Sequence, residues 1–435
     1  MGIDTARLYA AANPFGVIGP INAQTTDAWL PPNCHVYGAM SGSTLPVLPY
    51  PAGRHRSWTD YNAPGTGRSV DDPDRAKLLA AMEALERYCS MVHDPRSWRL
   101  GSGRKWGDRA LDLTRVPRCS AAELRHPACP IRTPDPDADI RWVSALRLDT
   151  QSEVLVPAVM VHLGVDLIPG ENFWLPISTG CAAHESIPAA TVNAICEVIE
   201  RDAIALTWLQ RLSLPPLEDS CLSAATTELV HWCQTRGITT YLFDATTDLH
   251  VPTVYCLQTA SHDQRAAQLV GCSTDFEVSA AAHRAVLEAM AARSAVHHHT
   301  SPRRYADYTD IMDGAALLAR RARRPAFRFL LDGVRDRAPS RPVSPAADTV
   351  AQRYRFLVDT LSSKNMPAYG VDLSTREATA LGISVVRVVI PDLQPLSLTP
   401  LAQYRAHPRL FTAPPAMGFP ARSMSELNPW PQPVA

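Results

Sequence analysis

Lysine is almost absent from this sequence. It occurs only at 77, 105 and 364, so nearly all of the 42 basic residues are arginine. A phosphate site here would rest on guanidinium groups or backbone amides. No Gly-x-x-x-x-Gly-Lys-Ser/Thr segment is present, which removes the P-loop signature, and no His-Glu-x-x-His segment is present, which removes that of the zinc proteases. The cysteines (Cys34, Cys89, Cys119, Cys129, Cys181, Cys196, Cys221, Cys233, Cys256 and Cys272) form no Cys-x-x-Cys pair. Their spacing therefore gives neither a structural zinc site nor a disulfide framework, and they read as buried free thiols of a reducing compartment. The start, MGIDTARLYAAANPFG, lacks the basic and long apolar regions of a secretion signal, and Ala6 stands where a myristoylation motif has Ser or Thr. No apolar run reaches the ~20 residues of a membrane-spanning helix. A formal net charge of -1 offers no electrostatic reason for a nucleic-acid or membrane partner. The expectation is a cytoplasmic protein with neither.

What is present suffices for a sizeable core, since hydrophobic residues make up 46% of the chain. Residues 74–93 place Leu78, Met82, Leu85, Cys89 and Val92 at helical spacing. A second helix is expected over 188–211, with Ser186 as its cap and Pro188 in its first turn. A third is expected over 277–297, with His297–His299 as its polar end. Strands are expected at IRWVSALRL, VLVPAVMVHL, TTYLF, PTVYCLQ, AAQLVGC, AYGVDL and ISVVRVVI. Long helices alternating with antiparallel-looking strands predict a mixed α/β (α+β) chain. Its parts would be an irregular segment over 1–60, one main domain over 61–400 and a proline-rich tail over 401–435.

Two segments stand out: EALERY at 83–88 and EVIERD at 197–202. Both read Glu-x-x-Glu-Arg, and Glu83/Glu197, Glu86/Glu200 and Arg87/Arg201 are separated by one constant interval. Positions three and four apart share a helix face, so Glu83, Glu86 and Arg87 project together, as do Asn193, Glu197, Glu200 and Arg201. Taken singly, each motif is an ordinary ion pair on a solvated helix. Twice over, on the two best helices, four carboxylates and two guanidiniums would converge if the helices pack side by side. Carboxylates suit Mg²⁺, which also takes phosphate oxygens; guanidiniums grip phosphate bidentately. The combination describes a triphosphate site without a P-loop. The third helix adds Arg284 and Glu288 four apart, and Arg293 five beyond Glu288.

These residues resemble the YcaO family of ATP-dependent enzymes. GTGRS, whose Gly65-Thr66-Gly67 reads as a glycine turn, followed by LAAMEALERY is similar to the family's first motif, with Leu79 at its serine position and Thr66 where many members have lysine. STGCAAHES leading to CEVIERDAIALTW is similar to the second, with Glu185 at a position often Asn or Thr. Ala285, Glu288 and Arg293 match the third. VDLSTREATALGISVVRVVIPDLQPLS is similar to the closing strand region. The resemblance implies a single YcaO-type catalytic domain around a central ATP site. Glu83, Glu86, Glu197 and Glu200 would hold Mg²⁺. Arg87, Arg201 and Arg293 would touch ATP phosphates, with Glu185 and Asn193 also at the nucleotide.

Pro429-Trp430-Pro431-Gln432-Pro433 resembles the tail of the azoline-forming subgroup, where it reaches toward the active site; alternating prolines stiffen such a chain. The activity so implied is ATP-dependent cyclodehydration of Cys, and of Ser or Thr, in a ribosomal precursor peptide. The alternatives are thioamide or amidine formation at the same ATP site, or a non-catalytic peptide-binding scaffold. For the base, His184 and the terminal carboxylate of Ala435 are the candidates, with Pro433 delivering the latter; His184 reads equally as a hydrogen bonder at the start of the second helix. The implied partners are the precursor peptide, an E1-like leader-binding protein and a second copy of the chain.

Overall fold

The computed structural model describes residues 3–25, 28–42 and 63–434. In chain order, the first elements are α1 (Thr5–Ala10), β1 (Asn22–Ala23), β2 (Cys34–Met40), β3 (Pro64–Val70), α2 (Pro73–Met91), β4 (Arg99–Ser102) and α3 (Gly103–Trp106). Then come α4 (Ala121–Arg125), β5 (Asp139–Arg147), β6 (Ser152–Pro157), β7 (Cys181–His184), α5 (Ile187–Leu209) and α6 (Ala224–Gln234). They are followed by β8 (Thr239–Asp244), β9 (Thr253–Thr259), β10 (Gln268–Thr274), α7 (Val278–His298), α8 (Ile311–Ala319) and α9 (Arg328–Leu331). The last are α10 (Val350–Ser363), β11 (Tyr369–Asp372), α11 (Arg376–Ala380), β12 (Ser384–Val389) and α12 (Arg409–Ala416). The mixed α/β class is as expected from the sequence.

The elements divide between two compact units, each made of three chain segments. The first comprises Met1–Thr114, Pro134–Ile195 and Thr349–Ile390; the second comprises Arg115–Thr133, Cys196–Asp348 and Pro391–Ala435. Neither follows a contiguous stretch, and α5 begins in the first and ends in the second. A linear division into segment, domain and tail does not anticipate such an exchange.

In the first unit, β1, β2 and β3 form an antiparallel sheet in that order. The residues Gly65-Thr66-Gly67, read from sequence as a turn, lie within β3. The reason is steric. A Cβ on Gly65 would stand 2.3 Å from the Ala84 nitrogen and one on Gly67 1.9 Å from the Ala76 carbonyl, so the bare backbone lets α2 lie directly on the strand. Alanines at 76, 80, 81 and 84 complete this close packing from the helix side. Asp72 starts α2 by accepting from the Arg75 amide at 2.8 Å, and Pro73 fills the first turn. A second antiparallel sheet runs β4-β5-β11-β12-β7, with β6 paired to β5. Trp142 is buried in it and donates to the Gly101 carbonyl at 2.7 Å. The strand expected at VLVPAVMVHL ends at Pro157 and passes into a 3₁₀ turn over Ala158–Met160.

The second unit repeats the plan. β8, β9 and β10 form an antiparallel sheet whose β9 and β10 are buried throughout. α7 lies on β10, where a Cβ on Gly271 would meet the Ala285 carbonyl at 2.2 Å. Leu269, Ala292, Val296, Ala316 and Ala319 pack together with Met312 beside this helix. The stretch over 302–350 contains α8, held by the capping box of Asp310 and Asp313 and too short to show a clear period. The chain beyond Pro391 is packed rather than trailing. Buried Arg409 bonds Asp202 at 2.8 Å and Asp248 at 2.7 Å. The Trp208 indole donates to the Trp430 carbonyl at 3.2 Å, and Pro431 to Val434 are buried. Every cysteine is free, and among the described residues no helix is long and apolar enough to cross a membrane.

Candidate active site

In the first unit, α2 presents Glu83, Glu86 and Arg87 on one face as the spacing requires. Arg87 donates to Glu83 at 3.0 Å and to Glu86. Glu83 also accepts from the Thr66 amide at 2.8 Å, so the strand under the helix fixes this carboxylate. All three side chains are half-buried or at the margin of exposure. At the end of β7, His184 accepts from the Glu185 amide through Nδ1 at 2.9 Å. Of the two readings of this histidine, that bond is the helix-start one. With Nδ1 accepting, the neutral ring carries its proton on Nε2. Glu185 and Asn193 are both exposed at the beginning of α5.

The second unit holds a tighter acid cluster. Glu197 and Glu200 of α5 both face Arg201, each at 3.6 Å. Glu288 of α7 acts on the same two groups: it adds to the negative field at Glu200 and to the positive charge held on Arg201. The edge strand β10 organises these acids. Its Thr274 amide donates to Glu200 at 3.0 Å and its Cys272 amide to Glu288 at 3.2 Å. Two residues back along the same edge, Val270 pairs in parallel with Val434 of the tail. Alternate residues of a strand face the same way, so one free edge receives the tail, then Glu288, then Glu200.

The electrostatics of this cluster are unbalanced. Glu200 is 8% exposed. Burial is the largest influence on its carboxyl, and Glu288 and Glu197 add to it; Arg201 and the Thr274 amide oppose but do not cancel them, and the pKa rises to about 8. Burial works against the Arg201 charge, yet Glu200, Glu197 and Glu288 outweigh it and hold its pKa above the ordinary value. Burial, with Glu200 and Glu288, pushes the Cys272 thiol well up, so no thiolate forms there. Three carboxyl groups around one guanidinium, one of them driven toward its neutral form, make a place that added positive charge would favour. Among the described residues no three His, Cys, Asp or Glu groups stand close enough to hold a metal ion by themselves. Mg²⁺ needs only one or two carboxylates when phosphates complete its shell, so the donor chemistry fits a magnesium nucleotide better than a bare ion.

A family model described as "YcaO cyclodehydratase, ATP- and Mg²⁺-binding" matches residues 66–394. The chain belongs to the YcaO family. An uncharacterized protein in the tfuA 3′ region of Rhizobium leguminosarum bv. trifolii is 26% identical over 347 residues, 75% of this chain and 76% of its own. A heterocyclase solved in complex with substrate and cofactor shares the fold with a TM-score of 0.78 at 18% identity, over 99% of this chain and 57% of that one. This chain thus spans little more than half of that heterocyclase. The YcaO protein of Methanopyrus kandleri, bound with AMPPCP and Mg²⁺, shares it with a TM-score of 0.57 at 19% identity, over 88% and 87% of the two chains.

Within this YcaO chain, the third helix differs from its sequence reading. Arg293 does not join Glu200, Glu288 and Arg201. Five residues along a helix is a rotation of about 140°, and Arg293 is fully buried, donates to the Ala266 carbonyl and pairs with Asp263 at 3.5 Å. Ala266 precedes β10 and Thr274 ends it, so the roughly 20 Å of extended strand from Gln268 to Thr274 lies between the two places. Glu288 takes the position instead. Its Arg284–Glu288 spacing and the Ala-x-x-Glu match were the available signals. Asp202, next to Arg201 in the second motif, is a structural anchor for the C-terminal segment through Arg409. The tail's Pro433 is buried beside β10, and Ala435 lies outside the described residues.

Proposed function

We propose that this protein is an ATP-dependent peptide cyclodehydratase of the azoline-forming YcaO subgroup. The observation that carries the reading is the excess of carboxylate around Glu200, which fits a magnesium-bound triphosphate, together with a PxPxP tail laid along the same strand edge. Glu83, Glu86, Glu197 and Glu200, joined by Glu288, would hold Mg²⁺. Arg87 and Arg201 would hold phosphate, and Asn193 and Glu185 would border the nucleotide.

In the reaction, the side-chain sulfur or oxygen of a substrate Cys, Ser or Thr bonds to the preceding backbone carbonyl carbon. ATP supplies the phosphoryl group that turns that carbonyl oxygen into a leaving group. The C–O bond then breaks, phosphate departs as the nitrogen loses its proton, and the resulting C=N bond makes the ring already closed an azoline. The chain's own groups orient the peptide, neutralise developing charge and move protons. Arg201 lies among the acids and would stabilise charge as it grows. A base carried by the PxPxP tail would accept the thiol or hydroxyl proton, and His184, proton on Nε2, would donate to the carbonyl oxygen.

The peptide is a ribosomal precursor presented by an E1-like leader-binding protein, with the enzyme working in the cytoplasm, where a second copy of the chain would pair with it. Activity is therefore low alone and high with the partner. The test is peptide-dependent ADP formation together with the product's mass. Loss of one water per ring supports the proposal; exchange of oxygen for sulfur would assign a thioamide-forming enzyme instead, and no turnover with substrate and partner present would leave a peptide-binding scaffold. Deleting Pro429–Ala435 should impair ring formation. A normal rate in that variant would remove the tail from the mechanism.

A further inference from the structure

The second unit contains another charged concavity, lined by none of the acids above. Arg211, Arg323, Arg328 and Arg422 line a cavity of about 480 Å³ with Phe329, Trp430 and Asn428, and no acidic residue is among its lining. Burial, and then repulsion from Arg422, lower the Arg211 pKa, so the cations strain against one another. Glu426, which lies near Arg422, is taken by the Ser423 hydroxyl at 2.6 Å and the Ser423 amide at 3.0 Å. Two of the arginines are fixed: Arg422 donates to the Gln210 carbonyl at 3.0 Å, and Arg323 lies 4.5 Å over the Trp430 ring. Asn428 is 1% exposed and accepts from the Trp430 amide at 3.3 Å. Its Nδ2 has no hydrogen-bond partner. A buried donor left unmade is costly unless an acceptor arrives.

All the charged groups lining this space are guanidiniums, and the orphaned Asn428 Nδ2 is a donor, so its ligand is an anion. The donors come from three separate stretches around two aromatic rings, Pro325 and Ala326. A phosphate would use the guanidiniums alone and leave Phe329, Trp430, Pro325 and Ala326 uncovered. Carboxylates spaced along a chain, with an apolar side chain between them, match guanidiniums spaced around an aromatic floor. We infer that this cavity binds an acidic segment of the peptide on which the enzyme acts, Asp or Glu residues flanking an apolar one. The identity of that ligand rests on the peptide-substrate reading above. Asn428 and Trp430 belong to the stretch that continues into the tail paired with β10, so a ligand in the cavity touches the chain leading to the acid cluster.

The test is fluorescence anisotropy on the full chain without ATP, using a labelled Glu-Leu-Glu-Glu-Leu-Glu peptide and its Lys-for-Glu counterpart. The acidic peptide binds, more weakly as salt rises, and the basic one does not. Arg211→Gln with Arg328→Gln weakens binding about tenfold or more. Arg324→Gln, on the same segment but outside the lining, leaves it unchanged, and Arg211→Lys with Arg328→Lys keeps most of it, which separates charge from misfolding. Neither inorganic phosphate nor ATP displaces the peptide. Equal binding by the double glutamine variant overturns the inference. So does binding of phosphate or ATP there with none of the acidic peptide. Peptide binding without peptide-dependent ATP turnover upholds the cavity and defeats the proposed function; turnover without such binding defeats the cavity alone.

Discussion

Replacing Glu200 with glutamine keeps the shape of the side chain and removes its charge. The carboxyl of Glu200 is raised from the ordinary 4.5 to about 8. Between those values the folded chain keeps a proton that the unfolded chain has lost. The stability so conferred is complete below about 4.5, falls as pH rises, and is gone once pH has passed 8. The maximum slope for one proton is about 1.4 kcal/mol per pH unit. From pH 6 to pH 8 the wild type should therefore lose roughly 2 kcal/mol that the Glu200→Gln variant retains. Urea unfolding of both proteins at pH 6, 7 and 8, followed by circular dichroism, measures the difference. The same linkage predicts a reversal with ligand. At pH 8, magnesium and a non-hydrolysable ATP analogue should restore the wild type, because the added positive charge compensates the ionised acids, and should do little for the variant. Parallel pH profiles for the two proteins would refute the account of Glu200 as a carboxyl forced neutral by burial, Glu288 and Glu197.

Gly271→Ala should cost about 1–3 kcal/mol, since its Cβ would overlap the Ala285 carbonyl at 2.2 Å and α7 would have to lift; thermal melting checks it, and an unchanged midpoint would mean that the helix is not pressed on β10. Arg409→Ala should cost about 3–5 kcal/mol by leaving Asp202 and Asp248 buried without their cation, read from denaturant unfolding. Arg293→Met should lower stability yet leave the KM for ATP within about twofold, because its partners are Asp263 and the Ala266 carbonyl; a large rise in KM would restore it to the phosphate site.

The long elements were legible in the residues. The helix expected over 74–93 is Pro73–Met91, that over 188–211 is Ile187–Leu209, and that over 277–297 is Val278–His298. Their apolar faces are long enough for periodicity to speak. The glycines at 65 and 67 were misleading because a glycine needed for a turn and one needed for close packing are the same letter; only the helix lying on β3 tells them apart. Proline-rich sequence beyond 391 concealed a packed segment, since its anchors are a single arginine, an indole and backbone groups rather than a pattern. Part of the N-terminal stretch expected to be irregular carries β2, paired residue by residue with β3.

From the residues alone came the two Glu-x-x-Glu-Arg faces, the scarcity of lysine and the proline-stiffened tail, because these follow from side-chain chemistry and helical spacing. The sequence echo linked α2 with α5. Tertiary structure drew a different parallel, between α2 on β3 and α7 on β10, in which Glu83 accepts from Thr66 and Glu288 from Cys272. That parallel exists because each helix presses on a glycine-bearing edge strand whose amides then meet its acids. Strand edges, and which carboxylate is pushed toward neutrality beside them, depend on what packs around a group, and no spacing along the chain encodes that.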